Sequence, residues 1–389
     1  MSDRRLRILS YTTLFPSPAR PMRGLFVARR LAQVARSEDL TVVAPVPVRF
    51  GAPPEVRVPE RAADEFRVIH PRYWLPPRWG KRWHDRLLYL QTEPAIRSLN
   101  PKTFDLVDAQ YAYPDGSAAG MIAARIGKPY VLTVRGSDLH VLANDPARRP
   151  AIRKVLRGAG AVVAVSKPLA RLAEELGAEA RRVHWIPNGV DQELFRPRPR
   201  SEARAALGWD PSRPAILFVG RLDPIKGLRL LLESVGELRR AELPTISCYL
   251  AGQGPMLGEI RRRVEAGGLG GNVTLLGGLP PERLALCYAA ADLLCLPSVS
   301  EGSPNVVLES LASGTPVVST DVGDVAELLD RSGGTVVQQR NPREFARAIF
   351  GVLSAAPDRA AIVARVAGHG WDRVAAAQIE VYRSVLGTA

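Results

Sequence analysis

Cysteine is scarce in this chain: Cys248, Cys287 and Cys295 are the three in 389 residues. Their number is odd, each sits in an apolar run, and none has metal-ligand spacing. A disulfide framework is thereby excluded, and buried free thiols in a reducing compartment are expected. No window reaches 18 uncharged apolar residues, too short a run for a helix that spans a bilayer. The first residues, Met1-Ser-Asp-Arg-Arg-Leu-Arg-Ile-Leu-Ser10, lack the apolar stretch of a secretory leader and run into a first strand. The expectation is a cytoplasmic protein. Histidines are few as well, and His70, His84, His140, His184 and His369 contain no pair at ligand spacing; this argues against a metal centre or a histidine-based nucleophile. Asp-x-Asp is absent, and with it the usual aspartate pair that chelates a metal–diphosphate complex. Gly-x-Ser-x-Gly and P-loop sequences are absent too, which leaves a hydrolase elbow or an ATPase unsupported.

Charge of one sign dominates half of what remains. Residues 1–197 hold 32 Lys and Arg against 19 Asp and Glu, whereas residues 198–389 hold 21 against 20. A basic half joined to a neutral half predicts two domains with different partners. Zinc-finger spacing, an RNP-like aromatic box and a basic DNA-reading helix are all missing, so nucleic acid is not the expected partner. An anionic membrane surface or an anionic acceptor fits better. Residues 72–83 place three tryptophans among four cations, which suits a membrane interface or a polyanion through residues 72–86. A Trp-anchored loop with solvated arginines is the alternative there, since five prolines in residues 45–60 and more at 76 and 77 oppose a regular helix.

Short apolar strands alternate with amphipathic helices through both halves. The expected strands are 7–11, 41–44, 106–109, 130–134, 161–165 and 183–186, then 215–219, 246–251, 273–276, 293–296, 317–319 and 334–337. Such alternation predicts an α/β chain of two Rossmann-like, doubly wound parallel sheets facing a cleft, with ligands bound outside the strand C-termini. The Pro- and Arg-containing stretch 195–199 is the expected linker, giving domains 1–197 and 198–370.

The run Ser298-Val-Ser-Glu301-Gly302-Ser303-Pro304-Asn305-Val306-Val-Leu-Glu309 carries the most chemistry. A buried strand precedes it and an apolar-faced helix follows, with Glu301 at the strand end and Glu309 expected two turns into the helix. The turn between them presents backbone N–H groups at a helix N-terminus, which favours an anion. Two hydroxyl-seeking carboxylates beside an anion cradle suit a phosphorylated sugar. In Gly220-Arg221-Leu-Asp-Pro-Ile-Lys226-Gly227, Arg221 and Lys226 share a strand-to-helix loop and can reach one diphosphate, the planar fork of one complementing the mobile charge of the other. Two solvated loop cations are the plainer alternative. Leu279, in Gly277-Gly-Leu-Pro280, closes a strand where backbone groups can meet a nucleobase. Gly24 opens a helix after the first strand and lets a backbone N–H approach phosphate. In Arg135-Gly-Ser-Asp138, both charged residues can act on the transferred sugar or the acceptor, or Asp138 can simply cap a helix.

Taken together these motifs resemble the retaining glycosyltransferases of the GT-B fold, family 4. The likeness spans Tyr113-Pro-Asp-Gly116, Val165-Ser-Lys167, Ile186-Pro-Asn-Gly-Val-Asp191, the Gly-Arg-Leu…Lys-Gly loop, the Glu301–Glu309 run and Leu308-Glu-Ser-Leu-Ala-Ser-Gly-Thr-Pro-Val-Val318. The resemblance implies that Arg221 and Lys226 bind the donor diphosphate, Glu309 the ribose and Glu301 the sugar hydroxyls. Backbone N–H groups of Gly302, Ser303, Pro304–Val306 (proline excepted) and Gly24 would complete the diphosphate site. The resemblance also implies that the last helix, 371–386, packs back on the first domain. Many such enzymes have His-Gly-x-Asp where this chain has Arg135-Gly-Ser-Asp138, a form that resembles a subgroup associated with cell-surface polysaccharide assembly. Arg135 cannot serve as a base but can hold a negatively charged sugar or phosphate.

The activity implied is transfer of a sugar from a UDP- or GDP-sugar to a hydroxyl of a sugar or lipid-linked acceptor, without metal or other cofactor. A peripheral position on the inner membrane face accompanies it. A sugar-nucleotide epimerase of the same fold and a non-catalytic polyanion-binding protein are the competing readings.

Overall fold

The computed structural model describes residues 4–48, 61–63, 66–76, 83–241, 243–329, 333–355 and 357–387. They form two compact units, one running to Asn188 and resuming at Trp371, the other Gly189–Gly370. The chain therefore changes unit at Asn188/Gly189 and not at 197/198. Packing explains the shift: Phe195 is 1% exposed in the core of the second unit and meets the Tyr288 ring edge-on at 5.7 Å. The stretch that reads as a linker is thus part of the second body.

The first unit holds β1 (Arg7–Tyr11), β2 (Asp39–Val43), β3 (Val46–Val48), β4 (Arg61–Ala63), β5 (Phe66–Ile69), β6 (Arg72–Trp74), β7 (Leu106–Ala109), β8 (Tyr130–Val134), β9 (Ala161–Ala164) and β10 (Val183–Trp185). Eight of them make one sheet in the order β10-β9-β8-β7-β1-β2-β5-β4, parallel except for β4, which runs antiparallel to β5; β3 and β6 pair separately. Nearly every residue of the central strands is buried, as expected for a parallel sheet covered on both faces. Helices His84–Arg97, Ser117–Ile126, Arg149–Gly158 and Lys167–Glu175 bury their apolar stripes on one face. On the other face lie Leu25–Ser37 and the last helix, Trp371–Leu386, whose Val374, Val381 and Tyr382 pack with Val27, Leu31 and Val34.

The second unit holds β11 (Ala215–Val219), β12 (Ser247–Ala251), β13 (Val273–Gly277), β14 (Leu293–Leu296), β15 (Val317–Thr320) and β16 (Gly334–Val337), all parallel in the order β13-β12-β11-β14-β15-β16. All the strands expected from sequence are present, shifted only at their ends. Those not expected are β3 to β6. Their neighbourhood is rich in proline, and they are too short to show a pattern of their own; β5 is recognised as a strand by its pairing with β2, which buries Val68 and Ile69.

Topology fixes where chemistry can gather. From β11 the chain winds outward through β12 and β13, then returns to the other side of β11 as β14. The loops after β11 and β14 thus diverge from neighbouring strand ends, which is where open α/β sheets bind ligands. The first sheet has the same reversal between β1 and β7.

Candidate active site

In the second unit those two loops carry the residues singled out from sequence, and glycine lets them touch. Gly227, at φ 69°, follows the short turn Pro224–Lys226, and a Cβ there would lie 1.9 Å from the Pro297 carbonyl oxygen. Only glycine accepts both the dihedral and the approach. The contact brings Lys226 Nζ to 2.6 Å from Glu301 Oε1, and the same oxygen accepts from Ser298 Oγ at 2.6 Å. Both partners are largely sheltered, with side chains 23% and 11% exposed. Arg221 does not join them. Its side chain is 70% exposed and its Nε lies 3.4 Å from Asp223 Oδ2. The loop is further braced by Arg340, whose Nη1 donates to the Ser298 carbonyl. This residue carries no motif signal in the sequence, since its role depends on β16 lying two strands away from β14.

The turn after Glu301 leads into helix Asn305–Ala312, which no side chain caps. Its N-terminal N–H groups form a site suited to an anion. Val307 and Leu308 are buried beneath it, as the apolar pattern predicts. The helix begins at Asn305, so Glu309 lies one turn in, not two, and accepts from Tyr288 Oη at 2.8 Å. Glu301 and Glu309 are thus held by different partners. Ser303 Oγ donates to Asp324 Oδ2 at 2.9 Å. Burial pushes the Asp324 carboxyl up to about 6, the Ser303 bond opposing it. Gly323 (φ 60°) packs so closely on Gly302 that a Cβ would be 2.7 Å from its carbonyl oxygen. Asp324 is a second residue invisible to motif reading. Leu279, after β13, is half-buried and packs on the core of the second unit.

In the first unit, Gly24 (φ 69°) precedes helix Leu25–Ser37, where a Cβ would sit 2.2 Å from the Leu14 carbonyl oxygen; no side chain caps that helix either. Asp115 ties the loop after β7 to the loop after β1, accepting from Thr13 N at 2.7 Å and Thr13 Oγ1 at 2.9 Å, and burial raises its carboxyl to about 6.

Asp138 and Arg135 are both tied into neighbouring loops. The Asp138 carboxylate is fully buried and accepts from the N–H groups of Ala112 (3.0 Å), Arg135 (3.1 Å) and Gly136 (2.8 Å). It joins two loops, and the bonds occupy the lone pairs a base would use. It does not act as the side-chain cap of helix Ser137–His140, whose N-cap is Gly136. The Arg135 guanidinium donates from Nε to the Gln110 carbonyl (3.2 Å), from Nη2 to Gln110 Oε1 and from Nη1 to Asn188 Oδ1 (3.4 Å), and lies 5.1 Å from the Phe26 ring centroid. Burial, then the charge of Arg30, lowers its pKa to about 9, which leaves it cationic at neutral pH. Behind it, Gln110 Nε2 and Ser10 Oγ both donate to Asp108 Oδ2, whose carboxyl is raised by burial. Among the described residues no group of three His, Cys, Asp or Glu side chains is placed to hold a metal ion.

Two parallel-sheet units with an anion-ready helix terminus and a lysine–glutamate contact at a sheet reversal define a GT-B glycosyltransferase scaffold. Residues 46–194 match Glycosyltransferase Family 4 and residues 199–367 match Glycosyl transferases group 1. The chain belongs to this family of glycosyltransferases. It is 30% identical over 362 residues to TuaC of Bacillus subtilis strain 168, a protein named for a role in teichuronic acid biosynthesis, covering 88% of each chain. With the D-inositol 3-phosphate glycosyltransferase of Segniliparus rotundus it shares 33% identity over 302 residues, 72% of this chain and 66% of that one. Among solved structures, HepE of Anabaena in complex with UDP superposes with a TM-score of 0.76 at 19% identity, covering 97% of this chain and all of the other. Sucrose-phosphate synthase of Thermosynechococcus elongatus gives 0.79 at 20% identity, covering 99% and 100%.

Proposed function

We propose that the protein transfers a sugar from a nucleoside diphosphate sugar, UDP- or GDP-linked, to an acceptor hydroxyl with retention of anomeric configuration. The observation that carries this reading is the Lys226–Glu301 contact beside the uncapped helix Asn305–Ala312. Lysine and helix N–H groups neutralise the charge that develops as the diphosphate departs, the arrangement of dipoles that contributes most to such transfers. Arg221, exposed on its loop, adds a planar fork to the same anion. Glu301 orients sugar hydroxyls and Glu309 takes the ribose; a phosphate oxygen of the leaving group accepts the proton of the incoming hydroxyl on the same face. Gly24, in the first unit, precedes a helix that no side chain caps, a backbone arrangement of the same anion-binding kind. The guanidinium of Arg135 binds a polar or anionic part of the sugar or acceptor. Such neutralisation needs no metal.

The acceptor is a sugar or a lipid-linked sugar in cell-surface polysaccharide or glycolipid assembly. The name of the Bacillus relative, which covers most of this chain, supports that setting. A membrane position through residues 72–86 belongs to the same reading; of these, 77–82 lie outside the described residues.

The test is a thermal-shift and calorimetric screen against UDP, GDP, ADP and their sugars, since a ligand that binds the folded state raises Tm by mass action. Stabilisation by one diphosphate, retained with EDTA, is expected, together with acceptor-dependent release of that diphosphate. No binding to any nucleotide would favour a polyanion-binding protein, and epimerised donor without acceptor would favour an epimerase.

A further inference from the structure

Helices His84–Arg97, Ser117–Ile126 and Arg149–Gly158 form one continuous layer on the first sheet, the middle helix packing against both others. Their inward stripes are apolar. Their outward surfaces are cationic to an unusual degree: Arg86, Arg97, Arg125, Arg149, Arg153, Lys154 and Arg157 lie on these three helices. The carboxylates on them are Asp85, buried and accepting from Ser117 Oγ at 2.6 Å, and Glu93, already shared by Arg97 and Arg125. Helix Arg149–Gly158 bears no acid at all, and no carboxylate among the described residues lies within ion-pair distance of Arg149, Arg153, Lys154 or Arg157. From Arg149 to Arg157 the row is about 12 Å long. Helix Lys167–Glu175, further along the same layer, is neutral by contrast.

Apolar side chains stand out of this same charged surface. Leu90 is 63% exposed and Trp83 is 48% exposed, with the Arg86 guanidinium 4.9 Å from the Trp83 ring centroid. Trp83, Arg86, Leu90 and Arg97 follow one another at helical spacing along the outer side of the first helix. An anionic polymer would draw on the arginines but gain little from a protruding leucine. A bilayer interface uses both, seating Trp and Leu at the headgroup boundary while cations meet anionic lipid.

We propose that the outer surface of these three helices docks on an anionic membrane, with Arg149, Arg153, Lys154 and Arg157 supplying the electrostatic half and Trp83 and Leu90 the inserting half. This extends the membrane reading beyond residues 72–86 to helix Arg149–Gly158, a part of the chain remote in sequence. It does not depend on the sugar or nucleotide used, so its test fails or succeeds apart from that assignment. With the membrane below this surface, acceptors anchored in lipid are concentrated at the first unit.

The full-length protein is sedimented with vesicles of phosphatidylcholine alone or of equal parts phosphatidylcholine and phosphatidylglycerol, at about 50 mM and about 300 mM salt. Binding is expected for the anionic vesicles only, and it weakens at the higher salt. The triple variant R149E/K154E/R157E should lose binding at least about tenfold. Leu90→Ser should lose a smaller part, about threefold. Both variants are to keep the Tm and nucleotide thermal shift of the parent, which separates docking from folding and from donor binding. Vesicle binding that survives the triple reversal overturns the proposal, as does a parent that ignores anionic vesicles. Full competition by dextran sulfate together with indifference to Leu90→Ser would also overturn it and assign the surface to a polyanion.

Discussion

Lys226 Nζ and Glu301 Oε1 are 2.6 Å apart, joining the loops that leave adjacent strands β11 and β14. The pair is oriented before any donor arrives: Ser298 holds the carboxylate and Gly227 sets the approach. A sheltered charge whose partner is removed loses much of its stabilisation. When a diphosphate binds, Lys226 is shared between it and the carboxylate, so the two residues should separate by assay. Lys226→Ala is expected to weaken UDP or GDP binding and to lower turnover by about a hundredfold. Glu301→Gln should lower turnover comparably while the nucleotide without its sugar still binds, as calorimetry would show. Wild-type turnover in both variants would remove the pair from the reaction.

Gly227 tests the same relationship through the backbone. A methyl group at this position meets the Pro297 carbonyl at 1.9 Å, against a residue whose φ is already in the left-handed region. Gly227→Ala should therefore move the Lys226 loop away from β14, lowering Tm by several degrees and abolishing the nucleotide thermal shift. Gly127→Ala provides the control, having a similar φ of 67° but open space around its Cβ. It should cost about 1 kcal/mol and leave nucleotide binding intact. Equal losses in the two variants would show that close packing at Gly227 is unimportant.

Asp138 is expected to act on stability rather than on chemistry. Its carboxylate accepts three backbone N–H groups in a fully buried position. Asp138→Ala leaves those donors unpaired, at about 1–3 kcal/mol for each such group. Denaturant unfolding should show a loss of a few kcal/mol, with Arg135 displaced because its own N–H is among the three. Asp138→Asn keeps an accepting oxygen and should retain most of the stability and of the turnover. If Asp138→Asn unfolds normally yet stops turnover, the carboxylate has a chemical part after all.

The core strands were legible because parallel strands buried on both faces are written as uninterrupted apolar runs, as in Ala215–Val219 and Leu293–Leu296. The Lys226 and Glu301 loops were legible for a related reason: each is local in sequence and follows such a run. What escaped was set by contacts distant in sequence. Arg340 reaches the Ser298 carbonyl across 42 positions, and Asp324 takes Ser303 across 21. Arg135 and Asp138 lie in a motif that is local in sequence, but their partners Gln110, Asn188 and Ala112 come from other loops and are not visible in it. Proline and arginine at 196–199 read as a linker, while the change of compact unit at Asn188/Gly189 follows from packing, the buried Phe195 ring lying in the second core.

Asp324 makes the candidate donor site sensitive to pH in a direction that can be worked out. Burial raises its carboxyl to about 6, above the value of about 3.9 expected in the unfolded chain. A raised acid means that the folded state binds the proton more tightly. The associated stability is therefore complete below about pH 4 and is lost as pH rises through about 6, to a limit of about 3 kcal/mol. Asn mimics the protonated form and can still accept from Ser303 Oγ. Asp324→Asn should thus raise the Tm of the second unit at about pH 7 and leave it unchanged near pH 4, as calorimetric scans at the two pH values would show. Because Ser303 stays in place, nucleotide binding should persist. A Tm gain equal at both pH values, or a lower Tm at neutral pH, would mean that the Asp324 carboxylate is held charged by the fold rather than strained by it.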